Sequence, residues 1–334
     1  MEHSETSTSV HNQINICNLL ELESRDEVVS EIISGLSSDP KHISSRFFYD
    51  ETGSSLFQRI TTLPEYYPTR TEISILKEAA GELTGGNKQL DMIELGSGDY
   101  SKISILLEVI PGNHLSDIHY FPVDVSESAV RYSAEGVSLR FPEVKIHGLL
   151  ADFMKHLTSL PGEGQRLICF FGSTIGNLSR SQASQFVAEL KIAMVPGDGL
   201  LLGLDMVKDQ DVMEAAYNDG EGVTEAFNKN MLRVVNRKIE TAIDPDDFEH
   251  LALYNPEKQR IEMHLVARRD LEIHSPCLEQ PLHIKKGETI HTENSHKFTQ
   301  EHIRQFAERS GLSIKKTYTD RNGWFSLVHF VYPG

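Results

Sequence analysis

The sequence predicts an α/β protein: a doubly wound, largely parallel sheet, with a second, smaller α+β domain interleaved in the same chain. Three observations carry this. DMIELGSGDYSK, Asp91–Lys102, reads as a short apolar strand, a tight glycine turn and the start of a helix. Apolar strands and amphipathic helices then alternate as far as Met206, the pattern of successive βαβ units. Beyond that point the alternation stops, giving way to polar helix and then to strands with period-two patterning, as expected for a sheet buried on one face.

In chain order, residues 1–20 are rich in Ser and Thr and read as a loose lead-in. Arg25–Leu36 has helical spacing, with Val28, Val29, Ile32, Ile33 and Leu36 on one face. Ser44–Arg70 is dense in aromatics, among them Tyr49 and Tyr66, beside Asp50, Glu51, Glu65 and Arg70. Such a stretch serves as core or as the wall of a polar-lined pocket. Thr71 is expected to cap a helix running to about Ala80, with Glu72 in its first turn and a loop over Gly81–Gln89.

After the first strand (Met92, Ile93, Leu95), Gly96-Ser97-Gly98 leads into a helix through Ile103, Leu106 and Leu107 that ends before Pro111-Gly112. A glycine here lets a ligand's polar groups approach the backbone; the same turn also serves as a plain βα connection. Ser101 stands where a dinucleotide fingerprint has its third glycine, and Glu94 precedes the turn. An acidic residue there suits a ligand with amino or hydroxyl donors, such as S-adenosylmethionine, better than a pyrophosphate.

His119–Val125 is the second strand, and Asp124 at its end is placed for ribose hydroxyls; it also suits a helix N-cap before Ser128–Arg140, whose Val130, Tyr132 and Val137 are read as inward. Lys145–Leu150 is the third strand, followed by Asp152 and Phe153, a carboxylate and a ring suited to an adenine. Leu167–Phe171 is a fully apolar fourth strand running into Gly172 and Asn177, where substrate would sit. A helix over Ser181–Val195 and a strand over 200–206 close the alternation. Lys208–Arg237 is mostly helical, Phe248–Asn255 short and mixed, and Gln259–Arg268 a strand with Ile261, Met263 and Leu265 on one face. Leu282–Ile284 and Glu288–Ser295 continue as strands. A helix over Thr299–Ser310 and an antiparallel pair, Leu312–Thr319 with Trp324–Tyr332, finish the chain. The resulting division is a flexible 1–20, one domain from 71–207 plus 298–334, and a second from 21–70 plus 208–297.

Composition narrows function. The 334 residues are 39% hydrophobic and 24% charged, as in globular proteins generally. Thirty-two basic against 49 acidic residues give a net charge of −17, the opposite of a nucleic-acid footprint and unsuited to an anionic membrane surface. No apolar run approaches the roughly 18–20 residues of a membrane span. MEHSETSTSVHNQ lacks a signal-peptide pattern. Cys17, Cys169 and Cys277 are odd in number and widely spaced, which points to a reducing, cytoplasmic compartment. Fifteen His form no paired ligand spacing, so no metal is expected.

FYDETGSSLFQRITTLPEYYPTRTE, ELGSG followed by Lys102, FFGSTIGNL, AYNDGEGVTEAFN and HTENSHKF occur in this order between about residues 24 and 332. Together they resemble the histidine-specific Nα-methyltransferases of ergothioneine biosynthesis. The resemblance implies a Rossmann-like S-adenosylmethionine-dependent methyltransferase domain with a separate substrate-binding domain. It implies three successive methyl transfers to the α-amine of L-histidine, giving Nα,Nα,Nα-trimethylhistidine (hercynine) and S-adenosylhomocysteine. By motif position the cofactor would meet Gly96, Lys102, Asp124, Asp152 and Phe153. Histidine's carboxylate would meet Asn177 and Tyr217. Its imidazole would meet Glu293 and Ser295, with Asn294 beside them, Tyr66 nearby and Met263 lining the ring. Tyr49 and Gly172 would stand by the reacting amine. The chain departs from the family at Asp99-Tyr100-Ser101, where Thr-Ser-Glu is frequent, while Lys102 keeps its place. The expected protein is a monomer acting on a small molecule, with neither nucleic acid nor membrane as partner. Methylation of another amino acid, such as tryptophan, and a regulatory protein that binds S-adenosylmethionine without turnover are the alternatives. Glu293, Ser295 and Met263 weigh against the first, and the intact Tyr49, Asn177, Tyr217 and Glu293 against the second.

Overall fold

The computed structural model describes residues 14–20, 24–85, 89–162 and 164–334. Its strands are β1 (Asn15–Asn18), β2 (Lys41–His42), β3 (Leu90–Leu95), β4 (Ile118–Asp124), β5 (Lys145–Leu150), β6 (Gln165–Phe170), β7 (Gly199–Asp205), β8 (Phe248–Asn255), β9 (Arg260–Ala267), β10 (Leu271–Ile273), β11 (Leu282–Ile284), β12 (Thr289–His296), β13 (Ser313–Thr319) and β14 (Phe325–Val331). Its helices are α1 (Arg25–Ser37), α2 (Glu51–Ile60), α3 (Tyr67–Thr84), α4 (Ser101–Glu108), α5 (Glu127–Arg140), α6 (Arg180–Ala193), α7 (Gln210–Ala215), α8 (Val223–Ile239) and α9 (Gln300–Ser310).

The large sheet has the order β1-β5-β4-β3-β6-β7-β14-β13. Strands β1 to β7 within it are parallel, and β14 and β13 are antiparallel. Every residue of β3 and β7 is buried, because helices cover both faces and leave no side for polar groups. The direction of strand succession reverses between β3 and β6, since β3 leads outward to β4 and β6 leads the other way to β7. Ligands in open α/β sheets bind at such a switch point, beyond the carboxyl ends of the strands. Here those ends carry Gly96 and Gly172.

A four-stranded sheet, β2-β12-β9-β8, stands apart. Alternation in β9 buries Ile261, Met263, Leu265 and Ala267. That face packs with α8 and the aromatic stretch into a core drawn from residues 32–67 and 213–290, with Trp324 of the terminal hairpin leaning on it. α6 opens on a reciprocal cap between Ser179 and Gln182, a device worth about 1 kcal/mol.

Several expectations are corrected. Asn15–Asn18, read as part of a loose lead-in, pairs in parallel with β5 at the sheet edge; residues 1–13 lie outside the described residues. α3 begins at Tyr67, not Thr71, because Pro68 fits a first helical turn. Thr71 therefore lies inside the helix, its hydroxyl bonded to the Tyr67 carbonyl at 2.8 Å. α3 also runs on to Thr84, through part of the stretch read as a loop. Tyr132 faces solvent, 49% exposed, and packs on Tyr100 instead of the core. The helical stretch after Lys208 is two helices broken at Gly222, whose φ is +71°. Phe248–Asn255 is a full strand.

Candidate active site

Between the two sheets lies a narrow cleft, partly open to solvent. Sequence reasoning placed eight residues there that the fold brings together: Tyr49, Tyr66, Gly172, Asn177, Tyr217, Met263, Glu293 and Ser295. They arrive from well-separated parts of the chain. Tyr49 closes the short helical turn before α2, Tyr66 caps α3, and Gly172 follows β6. Tyr217 lies just past α7, Met263 is on β9, and Glu293 and Ser295 are on β12.

Glu293 and Ser295 are two apart on a strand and so share a face. Met263 is the cross-strand neighbour of Glu293. Asn294, expected beside them, points the other way: its Oδ1 accepts from His291 Nε2 at 2.9 Å, and it is absent from the cleft lining. Asn177 donates its Nδ2 to Glu293 Oε1 at 3.0 Å. Gly176 makes this approach feasible, since a Cβ there would stand 2.9 Å from the His296 carbonyl oxygen. Burial pushes the Glu293 carboxyl up to about 7, against the opposing pull of Lys297 and Asn177. It therefore sits near the balance point between acid and carboxylate at neutral pH.

Tyr49, Tyr66 and Tyr217 are all raised well above the ordinary phenol range, chiefly by burial, so each remains a neutral hydroxyl. Tyr49 is also 38% exposed, as suits a residue at the cleft's mouth: crowded by protein and open on one side. The negative charges of Glu293 and Asp124 add to its shift.

Along the cofactor edge, Asp124 is the last residue of β4, and Gly96 and Asp152 follow the ends of β3 and β5. Gly96 has φ +70°, and a Cβ built there would meet nothing within 4 Å, so the turn faces open space. The buried Ser97 hydroxyl beside it has no hydrogen-bond partner. A glycine turn facing a void with an orphaned hydroxyl fits a ligand such as S-adenosylmethionine. Burial raises Asp124 to about 6, although Ser126 donates its N–H to Oδ1 at 2.9 Å. Glu94, wholly surrounded, is raised to about 8 by burial while Tyr120 donates to it at 2.6 Å. Phe153 packs edge-on against Phe170 and Phe186 at centroid distances of 5.1 and 6.0 Å, and is partly buried. Lys102, in the first turn of α4, reaches Glu72 Oε2 at 2.7 Å.

Glu72 was not foreseen as a site residue. It is fully buried and accepts the Gly172 N–H at 2.8 Å, joining Lys102 to the substrate side; its Oε1 has no partner. The signal was present: Glu72, Ile75, Leu76 and Ala79 fall at i, i+3, i+4 and i+7, which puts the carboxylate on the buried face. Also missed was the charge cluster beneath the cleft. Asp205 at the end of β7 is met by Lys297 at 2.8 Å, by Lys208 at 2.5 Å and by the Tyr67 hydroxyl at 2.8 Å. Burial alone would raise the Asp205 carboxyl, but the two lysines outweigh it and hold it below its ordinary value.

A sheet in this strand order, with a glycine turn after its first central strand, an acidic end on the next and a terminal antiparallel pair, is the architecture of S-adenosylmethionine-dependent methyltransferases. Residues 28–332 match the family described as histidine-specific methyltransferase, SAM-dependent, and the chain belongs to that family. It is 38% identical over 315 residues to the histidine N-alpha-methyltransferase of Mycolicibacterium smegmatis, covering 94% of this chain and 98% of that protein. It is 39% identical to the histidine N-alpha-methyltransferase of Mycobacterium tuberculosis, over 89% of this chain and 92% of that one. Ergothioneine biosynthesis protein 1 of Neurospora crassa is 31% identical over 88% of this chain and 35% of its own length.

Proposed function

We propose that the protein transfers methyl groups from S-adenosylmethionine to the α-amine of L-histidine, three times in succession, giving hercynine, the first step of ergothioneine biosynthesis. The observation that carries this is the convergence of Glu293, Ser295, Asn177 and Tyr217 on one cleft beside the glycine edge of the sheet. S-adenosylmethionine supplies a sulfonium-bound methyl group. The chain's task is alignment, which can be worth roughly 7–11 kcal/mol of barrier. Gly96, Asp124, Asp152, Phe153 and Lys102 would hold the donor. Asn177 and Tyr217 would hold histidine's carboxylate, and Asn177 has a second amide proton for this beyond the one given to Glu293. Glu293 and Ser295 would hold the ring, with Met263 and Tyr66 against it.

Attack requires the amine to lose its proton, and the growing positive charge needs shielding from water. Tyr49, a neutral hydroxyl and an aromatic face beside Gly172, serves both ends, since ring faces stabilise quaternary ammonium groups. The division into a methyltransferase domain (71–207 and 298–334) and a substrate domain (21–70 and 208–297), the monomeric state, the absence of a metal and the cytoplasmic location belong to the same reading. Among the described residues, no helix is long and apolar enough to cross a membrane. Mass spectrometry of purified protein with S-adenosylmethionine and a panel of amino acids tests the proposal. Histidine alone should acquire one, two and three methyl groups, each about 14 Da, as the site realigns the amine after each transfer. Methylation of tryptophan in preference to histidine would support the alternative substrate, and no transfer to any amino acid would support a binding protein.

A further inference from the structure

The lysine of HTENSHKF does more than pair with Asp205. Lys297 is fully buried behind the cleft. An ammonium group has three protons and no lone pair, and three acceptors surround this one. They are Asp205 Oδ2 at 2.8 Å, the Tyr217 hydroxyl at 3.0 Å and Ser295 Oγ at 3.0 Å. The Tyr217 hydroxyl gives its own proton to Ser295 Oγ at 2.7 Å. A serine hydroxyl has two lone pairs, and on Ser295 both are now occupied. Only its proton remains, and Ser295 lines the cleft.

We infer that Lys297 is a positioning residue that makes Ser295 an obligate hydrogen-bond donor to the substrate, and thereby sets which side chains the cleft accepts. This rests on the reading of the cleft as the histidine site. Across the same wall Glu293, in its carboxylate form, presents an acceptor: Asn177 takes Oε1 and leaves Oε2. One donor and one acceptor match a ring with one N–H and one unprotonated nitrogen, which is neutral imidazole. Imidazolium offers two donors, indole one donor and no acceptor, and phenyl neither. Without Lys297 the hydroxyl pair can reverse, Ser295 donating to Tyr217 and turning a lone pair outward. Asp205 would keep Lys208 and Tyr67 as partners, so its charge would not be orphaned. A lysine acting only through Asp205 is represented by Lys208, which does not touch Ser295, and the pull of Lys297 on the Glu293 carboxyl is kept in a Tyr217 variant.

The test compares kcat/KM for histidine with that for the two pyrrolylalanines, in which one ring nitrogen is replaced by CH and the other keeps its N–H. The unaltered protein should prefer histidine over the better pyrrolylalanine by about 100-fold or more, because the Ser295 proton loses its acceptor. Lys297→Met should narrow that gap about tenfold or more, whereas Lys208→Met, which removes the same charge from Asp205, should leave it. Tyr217→Phe frees one Ser295 lone pair with Lys297 in place and should narrow the gap as well, which keeps the test available if Lys297→Met does not fold. Failure of the unaltered protein to methylate histidine would overturn the functional reading. Histidine turnover with an unchanged gap in Lys297→Met or in Tyr217→Phe, or an equal change in Lys208→Met, would overturn this inference alone.

Discussion

At the cofactor edge each candidate residue belongs to the end of its own strand: Gly96 to β3, Asp124 to β4, Asp152 to β5. In the substrate cleft the candidates come from stretches as far apart as Tyr49 and Ser295, and they are held by a buried charge cluster that no single stretch contains. The first construction depends on backbone topology and tolerates the loss of one side chain. The second depends on pairing among buried side chains, where removing one partner strands another. The difference predicts a gradient in mutational cost across the site.

The largest effect belongs to Asp205. Asp205→Ala would leave Lys208 and Lys297 facing each other with no anion between them. The expected loss is about 3–5 kcal/mol of folding stability, measured by urea unfolding. Because the folded state lowers the Asp205 carboxyl, its stabilisation is complete above the ordinary carboxylate range and is lost as pH falls through the lowered value. The difference between native protein and variant should therefore shrink only in acid; a difference under about 1 kcal/mol at neutral pH would mean the lysines are satisfied elsewhere.

Next comes Glu293. Glu293→Ala should lower kcat/KM for histidine by roughly 10²–10³-fold, since the pocket then rejects a ring whose N–H has no acceptor. With Met263→Val for room, the ratio of tryptophan to histidine turnover should rise. A ratio that does not move would place the ring contacts elsewhere.

Smaller losses are expected at the cofactor edge. Asp124→Ala removes charged hydrogen bonds worth about 1.5–3 kcal/mol, so S-adenosylmethionine affinity measured by calorimetry should fall tenfold or more while folding stability is retained. Undiminished affinity would remove Asp124 from the ribose. Asn177 is the cleft residue that departs from this gradient, because it stands at the partly open wall and makes a single hydrogen bond there: Asn177→Ala should raise the histidine KM by about tenfold, the value of one or two hydrogen bonds, with S-adenosylmethionine binding unchanged. Equal loss for both ligands would make Asn177 a loop anchor.

The same contrast explains what the sequence made legible. Strand, turn and helix at Asp91–Lys102 could be read because each element is specified by neighbours in the chain, and the buried runs of β3, β6 and β7 followed from composition alone. The cleft residues were reached through long motifs shared with a family, because Tyr49, Tyr217 and Glu293 carry no local signal of meeting. Asn294 was misplaced although strand alternation sends it away from Glu293 and Ser295. Lys297 and Lys208 were passed over because a lysine in sequence reads as solvated surface, and only the fold shows the carboxylate that buries them. The start of α3 was missed because Thr71 looked like a cap while Pro68, the better signal, stood three residues before it, inside the aromatic stretch.

The most direct measurement is a crystal structure of the protein with S-adenosylhomocysteine and L-histidine bound together. The account predicts the imidazole between Glu293 and Ser295, the carboxylate at Asn177 and Tyr217, and the α-amine beside Tyr49 and Gly172, facing the sulfur. Histidine bound with its ring towards the sulfur, or outside this cleft, would contradict it.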